Sequence, residues 1–378
     1  MASSPKRTNP KPNPNITDSL HTLPFELKIE ILSRLPVKLL LQLTCICKSL
    51  NSIIFNPKFV RKHLSISTTR RLHLSSYQNE FNLKSYSLQS MFTDLTTNFT
   101  QLGFPFYTDV INSYYIACSC DGVLCLADHY EHKVVLWNPC IRKFKKLPPF
   151  ENPSVFKKLR VTHGFGYDHV SDLYKVVVVY TTSIKARSGV HEDTTSIKVL
   201  TLGTRDWRTI PTFPFGSIFD YGAGKCVSGT VNWLDYTEIY WIGRPKPIIV
   251  SFDLAKESFQ KISLPDHGRR DECNMTLFVW RDCLSIIFDH DVWVMNTYGV
   301  KESWIKLFSV SCLRNPSMSS ILIAKASYIC DGQLLLELKE KKKRKLIVYD
   351  AKNGTFKVTK FLRLPEVCVE SLLSPDIV

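Results

Sequence analysis

The chain reads as a two-part α+β protein: a small N-terminal helical module, then a long all-β region built of repeated four-stranded units. Three observations predict this. Leu23 to Leu64 is the one clearly helical stretch, and 22 of its 42 residues belong to the AVILMFWYC set. From about Ser65 the apolar period shifts from helical to two. After Tyr114 a pattern of strand pair, polar turn and aromatic recurs along the chain.

In the helical stretch, Pro24 suits a first turn and Glu26 places negative charge at its positive end. At 100° per residue Phe25, Ile29 and Leu32 form one apolar stripe, and Leu27 and Ile31 form another nearly opposite. Pro36 breaks the chain, Val37 to Phe55 reads as one or two helices apolar almost all round, and Pro57 breaks it again before a short basic turn, Lys58 to Leu64. Two stripes need two burials, and a unit of about 40 residues can hardly bury so much apolar surface alone. Either the helices pack on the rest of the chain, or one face is reserved for a partner.

In the β region, VVLWNPCIRKFKKLP (134–148), IKVLTLGTRDWRTIP (197–211), IIVSFDLAKESFQKISLP (248–265), DVWVMNTYGVKESWIKLF (291–308) and LIVYDAKNGTFKVTKF (346–361) are copies of one pattern. Their aromatics Phe144, Trp207, Phe259, Trp304 and Phe356 are spaced by 63, 52, 45 and 52 residues. Upstream strands carry their own turn signals at Asp121-Gly122, Ser228-Gly229, Asp282-Cys283 and Asp331-Gly332. Four short strands per period near 50 residues is the signature of propeller blades of kelch length, because stacked neighbours cover each other's faces. The uneven period points to an irregular propeller, and a plain β-sandwich array is the alternative. The expected organisation is a disordered tail at 1–19, the helical module at 20–64, a linker and first β segment at 65–113, and the propeller-like domain at 114–378.

Composition narrows the classes. The content of 44% hydrophobic and 22% charged residues is that of a globular chain. The net charge of +15 is spread along the chain, and no recognition helix, zinc finger or RNA-binding signature accompanies it. The 12 cysteines include two C-x-C pairs and no C-x-x-C, so they read as reduced thiols rather than zinc ligands or disulfides. No apolar run suits a signal peptide or a membrane span.

Searched for chemistry, the sequence offers little. Gly164-Phe165-Gly166 lacks the third glycine of a dinucleotide loop and reads as a turn. Gly224-Lys225-Cys226 lacks the upstream glycine and the Ser/Thr of a phosphate loop. Asp289-His290-Asp291 reads as a hairpin turn, since alternation would turn His290 away from the two carboxylates. Lys341 to Lys345 reads as a hairpin loop with a possible second use as a nuclear localisation signal. No catalytic residue, metal site or cofactor is expected.

Two sets of motifs resemble a known family. Leu23-Pro24, Glu26-Leu27, Glu30-Ile31-Leu32, Arg34-Leu35-Pro36-Val37-Lys38, Cys45-Ile46-Cys47-Lys48-Ser49 and Asn56-Pro57-x-Phe59 are similar, in order and spacing, to the F-box of plant F-box proteins. CDGVLCL, LWNPCIRKFKKLP, GFGYDHVSDLYKVV, VSGTVNWLD, SFDLAKESFQKISLP and VESLLSP are similar to the F-box-associated interaction domain of the same proteins, F-box/kelch-repeat type. The sequence departs from the pattern at Leu50, where Trp is usual, at Leu39, where Ser is common, and at Gln42-Leu43 in place of Arg-Phe.

The resemblance implies a three-helix module that binds a Skp-family adaptor, and through it a cullin, with the β domain holding a target protein for ubiquitination in cytoplasm and/or nucleus. The adaptor face it implies is Leu23, Pro24, Leu27, Ile31, Leu35, Pro36, Val37, Leu40 and Cys47; Phe25, Ile29, Leu32, Leu50 and Ile53 are then the module's own core. Such a subunit works by proximity and needs no catalytic residue. A kelch-like binding module acting without a cullin is the alternative, and a copper-dependent oxidase on a propeller is a third class with no ligand set in view. Target contacts are expected on loops at one end of the axis, around Glu131, 183–195, 237–247 and 266–272, with Tyr240, Trp241, Arg244, His191 and Arg269 the chosen residues.

Overall fold

A computed structural model describes residues 23–77, 81–87, 99–103, 114–128, 133–150, 159–185, 191–211, 223–237, 246–266, 275–310, 321–328, 332–340, 343–359, 361 and 364–376. The chain divides into two compact units, Met1–Ser67 and Thr68–Val378.

The first unit holds four described helices, α1 (Phe25–Ser33), α2 (Val37–Thr44), α3 (Lys48–Ile54) and α4 (Pro57–Ile66), not three. The Val37–Phe55 stretch is two helices because Cys47 stops one and starts the next: its backbone is extended and its Sγ accepts the Leu50 N–H at 3.5 Å. The expected basic turn after Pro57 is instead a helix of 10 residues. Asn56 Oδ1 accepts the Lys58 N–H at 2.9 Å, and Pro57 sits where a missing N–H costs nothing, so this proline opens a helix.

The second unit is a six-bladed propeller of four-stranded antiparallel sheets. Blade 1 joins β24 (Glu366–Val369) to β1 (Arg70–Tyr77), β2 (Phe81–Ser87) and β3 (Phe99–Leu102). Blade 2 is β4 (Tyr114–Cys120), β5 (Val123–Asp128), β6 (Val134–Asn138) and β7 (Lys143–Lys146). Blade 3 is β8 (Leu159–Asp168), β9 (Leu173–Lys185), β10 (His191–Thr201) and β11 (Arg208–Ile210). Blade 4 is β12 (Lys225–Val227), β13 (Thr230–Thr237), β14 (Lys246–Asp253) and β15 (Ser258–Ile262). Blade 5 is β16 (Met275–Trp280), β17 (Cys283–Phe288), β18 (Asp291–Met295) and β19 (Trp304–Ser309), and blade 6 is β20 (Ile321–Tyr328), β21 (Gln333–Glu340), β22 (Lys343–Asp350) and β23 (Thr355–Val358). The inner strands β24, β4, β8, β12, β16 and β20 each touch the next around the ring.

The ring closes through the chain's two ends. β24 pairs with β1 from Arg70↔Val369 to His73↔Glu366, so segment 65–113 supplies most of a blade. The residues after β24 then lie against blade 2. Asn138 is fully buried and its Nδ2 donates to Ser371 O at 3.0 Å and Leu373 O at 2.8 Å, while its Oδ1 accepts the Cys140 N–H at 2.8 Å. Gly122, at φ 85°, lets this tail pass: a Cβ there would sit 2.7 Å from Ser371 Cβ.

The recurring motifs have physical roles. Asp121-Gly122, Ser228-Gly229 and Arg281-Asp282 have positive φ at both residues, the two-residue turn whose twist matches the paired strands. Asp253 Oδ1 and Asp350 Oδ1 accept backbone N–H groups two residues on, at 2.9 Å each, and close the turns that follow the third strands. The outer-strand tryptophans meet the preceding blade's Leu-Pro exit: Trp207 Nε1 donates to Pro148 O at 2.7 Å, and Trp304 Nε1 to Ser263 O, just before Leu264-Pro265, at 2.8 Å.

Three local expectations are corrected. Gly164-Phe165-Gly166 lies within β8, not in a turn; the glycines are there because a Cβ at Gly164 would come within 2.4 Å of Val231 and one at Gly166 within 2.5 Å of Cys226 Sγ, on the neighbouring blade. Residues 183–185 and 191–195 of the expected loop are strand, paired from Asp193↔Ser183 to His191↔Lys185, because β-branched residues on both sides extend the β9–β10 hairpin. Lys343 to Lys345 form the start of β22 rather than a loop.

A buried ion cluster joins blades 3 and 4. Lys175 Nζ lies 3.0 Å from both Asp168 and Glu257 and donates to Leu254 O at 2.6 Å. Burial pushes the Asp168 carboxyl up, but hydrogen bonds from Ser171, the Val170 N–H and Lys175 outweigh it and hold the pKa at about 2.

Candidate functional site: the apolar face of the helical module

In the helical unit α1 packs on α4 and α2 on α3. Leu32, Val37, Leu40, Leu50, Ile54, Phe59 and Val60 are buried there. His63 Nε2 donates to Leu35 O at 2.9 Å, tying α4 to the turn between α1 and α2. Glu30 receives Arg34 Nη2 and Lys62 Nζ, each at 2.7 Å. The Lys62 hydrogen bond, then that of Arg34, holds the Glu30 pKa at about 2.

This packing leaves several apolar side chains in solvent, Phe25 and Ile66 among them. Leu27 and Ile31 are each 50% exposed, Leu39 and Ile46 are exposed with them, and Pro24 and Pro36 are exposed just before α1 and α2. Leu23 and Leu35 are half-buried. Seven Lys and Arg against two Glu in 23–64 make the surroundings basic. Such a surface can exclude water only against another apolar surface.

The expected site residues divide. Pro24, Leu27, Ile31 and Pro36 lie in solvent, while Val37 at 2% and Leu40 at 0% exposure are core residues, which corrects their placement on the free face. They sit at i and i+3 on the inner side of α2, and the outward position falls to Leu39. Cys47 is half-buried and is occupied with capping α3. Phe25, assigned to the core by its stripe, is 59% exposed: the buried residues of α1 are Leu32 and Ser33 at its far end, and the first turn projects past them. Phe25, Leu39 and Ile46 are surface residues; the all-round apolarity of Val37–Phe55 signals Leu39 and Ile46, and nothing in the sequence signals Phe25.

Of the expected target residues, Tyr240, Trp241, Arg244 and Arg269 lie outside the described residues, as does Glu131. His191 opens β10, in register with Lys185. Asp291, one of the weighed metal ligands, accepts instead from Ser309 Oγ and, at 2.7 Å, from Lys306 Nζ. Among the described residues no group of three or more His, Cys, Asp or Glu could hold a metal ion, and no helix is long and apolar enough to cross a membrane.

Comparison with known proteins places both units. Residues 20–67 match the F-box-like family, and residues 67–368 match the F-box associated beta propeller domain. An F-box/kelch-repeat protein of Arabidopsis thaliana is 30% identical over 359 residues, 89% of this chain and 90% of that one. A further Arabidopsis thaliana F-box protein is 26% identical over 390 residues, covering 92% and 89%. An Arabidopsis thaliana F-box/LRR-repeat protein is 26% identical over 312 residues, covering 79% and 69%. With a helical unit at the F-box positions and a closed propeller across the rest, the chain belongs to the F-box proteins that carry an F-box-associated β-propeller domain.

Proposed function

We propose that this chain is the substrate-recognition subunit of an SCF-type ubiquitin ligase. The helical unit docks a Skp-family adaptor, and through it a cullin, while the propeller, with blades of kelch type, holds a target protein. The observation that carries the reading is the exposed apolar set at F-box positions, Leu27 and Ile31 above all, on a helix that is buried only through Leu32 and Ser33 at its far end. Ubiquitination then needs no reacting group in this chain, because a bound target gains effective concentration near the conjugating enzyme. The work would take place in the cytoplasm or nucleus.

The test is co-purification of the full chain with a Skp-family adaptor, comparing wild type with Leu27→Asp plus Ile31→Asp. Each side chain is half-exposed, so docking can bury about half of it, and losing both removes about 1.5–3 kcal/mol, at least about 10-fold in affinity. A wild-type chain that stays monomeric beside the adaptor would overturn the reading and leave a kelch-like binding module acting without a cullin.

A further inference from the structure

The outer rim of the propeller is uneven. Among the described residues of the six outer strands, large apolar side chains are exposed on β19 and β23 alone: Ile305, Leu307, Phe356 and Val358. Three of them face the same cleft. Ile305 stands opposite Val294, Phe356 opposite Tyr349 and Val358 opposite Ile347, and those three partners belong to the core between blades 5 and 6. Directly opposed residues of antiparallel strands share a face, so Ile305, Phe356 and Val358 line the outer mouth of that seam.

At two other seams the recurring motif forms a plug. Trp207 sits under Pro148 with Phe150 against its ring, and Trp304 is 7% exposed under the Ser263-Leu264-Pro265 exit. At the seam between blades 5 and 6 both halves of the plug differ. β19 runs into Phe308-Ser309-Val310-Ser311 with no Leu-Pro or Ile-Pro, and the outer aromatic is Phe356, which has no N–H to donate. The floor is closed by Phe308 stacked on Tyr349 at 5.9 Å and by Tyr349 OH donating to Ser309 O at 3.2 Å. Beyond that floor Phe356 is 44% and Val358 63% exposed.

The charge at one end of the cleft is mainly positive. Lys345 lies opposite Leu338, a member of the same core, so it shares the face of Val358; Lys343 is the next residue on that face, and both are exposed. The described basic residues here are Lys339, Lys343, Arg344 and Lys345; Glu340 lies directly opposite Lys343, and Glu337 is paired with Arg344 at 2.8 Å, so Lys345 carries the uncompensated charge on the cleft face. A second copy of this chain, at net charge +15, would be repelled here.

We propose that the outer cleft between blades 5 and 6 is a docking groove for an extended peptide segment of a partner protein. The segment is apolar at alternate positions, filling the mouth between Ile305, Phe356 and Val358, and acidic at the end that meets Lys343 and Lys345. β23 is the outermost strand of its sheet, the position where an extended segment adds alongside. This groove gives the proposed target-holding role a place and a ligand chemistry, and it lies on the side of the ring rather than on the axial loops.

The test pans a phage-displayed library of random 12-residue peptides against the full chain, then measures a fluorescent consensus peptide against three proteins. The wild type should enrich peptides with apolar residues at i and i+2 and Asp or Glu toward one end. Phe356→Asp plus Val358→Asp should weaken the consensus peptide at least 10-fold, with an unchanged melting midpoint because both side chains are exposed. Lys343→Glu plus Lys345→Glu should weaken it at least 5-fold and exchange the acidic flank of the enriched peptides for a basic one; this variant decides the matter if the first fails to fold. No enrichment on wild type, or variants that bind the consensus peptide as tightly as wild type does, overturns the groove. Neither outcome touches the ligase reading, which adaptor co-purification tests separately.

Discussion

Asn138→Ala should open the ring. Asn138 is the last residue of β6, yet its amide holds the tail that follows β24, some 230 residues away, through Ser371 O, Leu373 O and Ser371 Oγ. Alanine leaves two buried carbonyls and the Cys140 N–H without that partner. At about 1–3 kcal/mol for each of these three groups left unsatisfied, the loss is about 3–9 kcal/mol. That is a large share of the roughly 5–15 kcal/mol that holds an ordinary domain together. The tail it anchors buries Ser371, Leu372, Leu373 and Ser374, so the loss should be read in two ways. Urea unfolding followed by tryptophan fluorescence gives the free energy, and carboxypeptidase digestion of the native protein gives the freedom of the tail. Adding Asn138→Ala to a chain ending at Glu370 should cost little more than the truncation alone, a coupling of about 2 kcal/mol or more. A loss below about 1 kcal/mol, or full additivity with the truncation, would refute the idea that this amide latches the ring.

Two further outcomes follow from the charged groups. Lys175→Met leaves Asp168 and Glu257 without their shared cation in a buried site, and should cost about 3–5 kcal/mol in urea unfolding. Adding Asp168→Asn should recover part of that loss; no recovery would mean that the ion pair is not the cause. Glu30 titrates near 2 in the folded unit against 4.5 as its ordinary value, so it contributes stability above about pH 4.5 that is lost as pH falls toward 2. NMR titration of its side-chain carboxyl should give a midpoint near 2 that rises in Lys62→Met; a midpoint near 4.5 in wild type would show that the Arg34 and Lys62 pairs do not form in solution.

Much of the fold was legible because its causes are local. Period-two patterning, paired turn residues such as Ser228-Gly229 and the aromatic of each outer strand are short-range features, and they mark β4 to β23 in order. The fourth helix was missed although Asn56-Pro57 carries a start signal, because proline was read as a stop. The glycines of β8 were read as a turn because their reason lies on Val231 and Cys226 of another blade. On the helical module Leu27 and Ile31 are exposed, whereas Val37 and Leu40 are buried and Phe25 is exposed, against what their stripes suggest. A wheel orders residues around one helix, but which side is covered depends on where the other helices lie.

By itself, the sequence determined the strands, the turns between them, the four-strand period and the helical module with its surplus of apolar side chains. Tertiary structure decided how the ring closes. The pairing of Arg70–His73 with Glu366–Val369 joins segments almost 300 residues apart, and neither has a pattern that names the other. It forms because blade 1 lacks an inner strand until the chain returns, and a sheet edge left open there would expose the cores on both of its sides. Tertiary structure also decided that the seam between blades 5 and 6 keeps Phe356 and Val358 in solvent, since whether an outer aromatic is plugged depends on the residues that leave the blade before it.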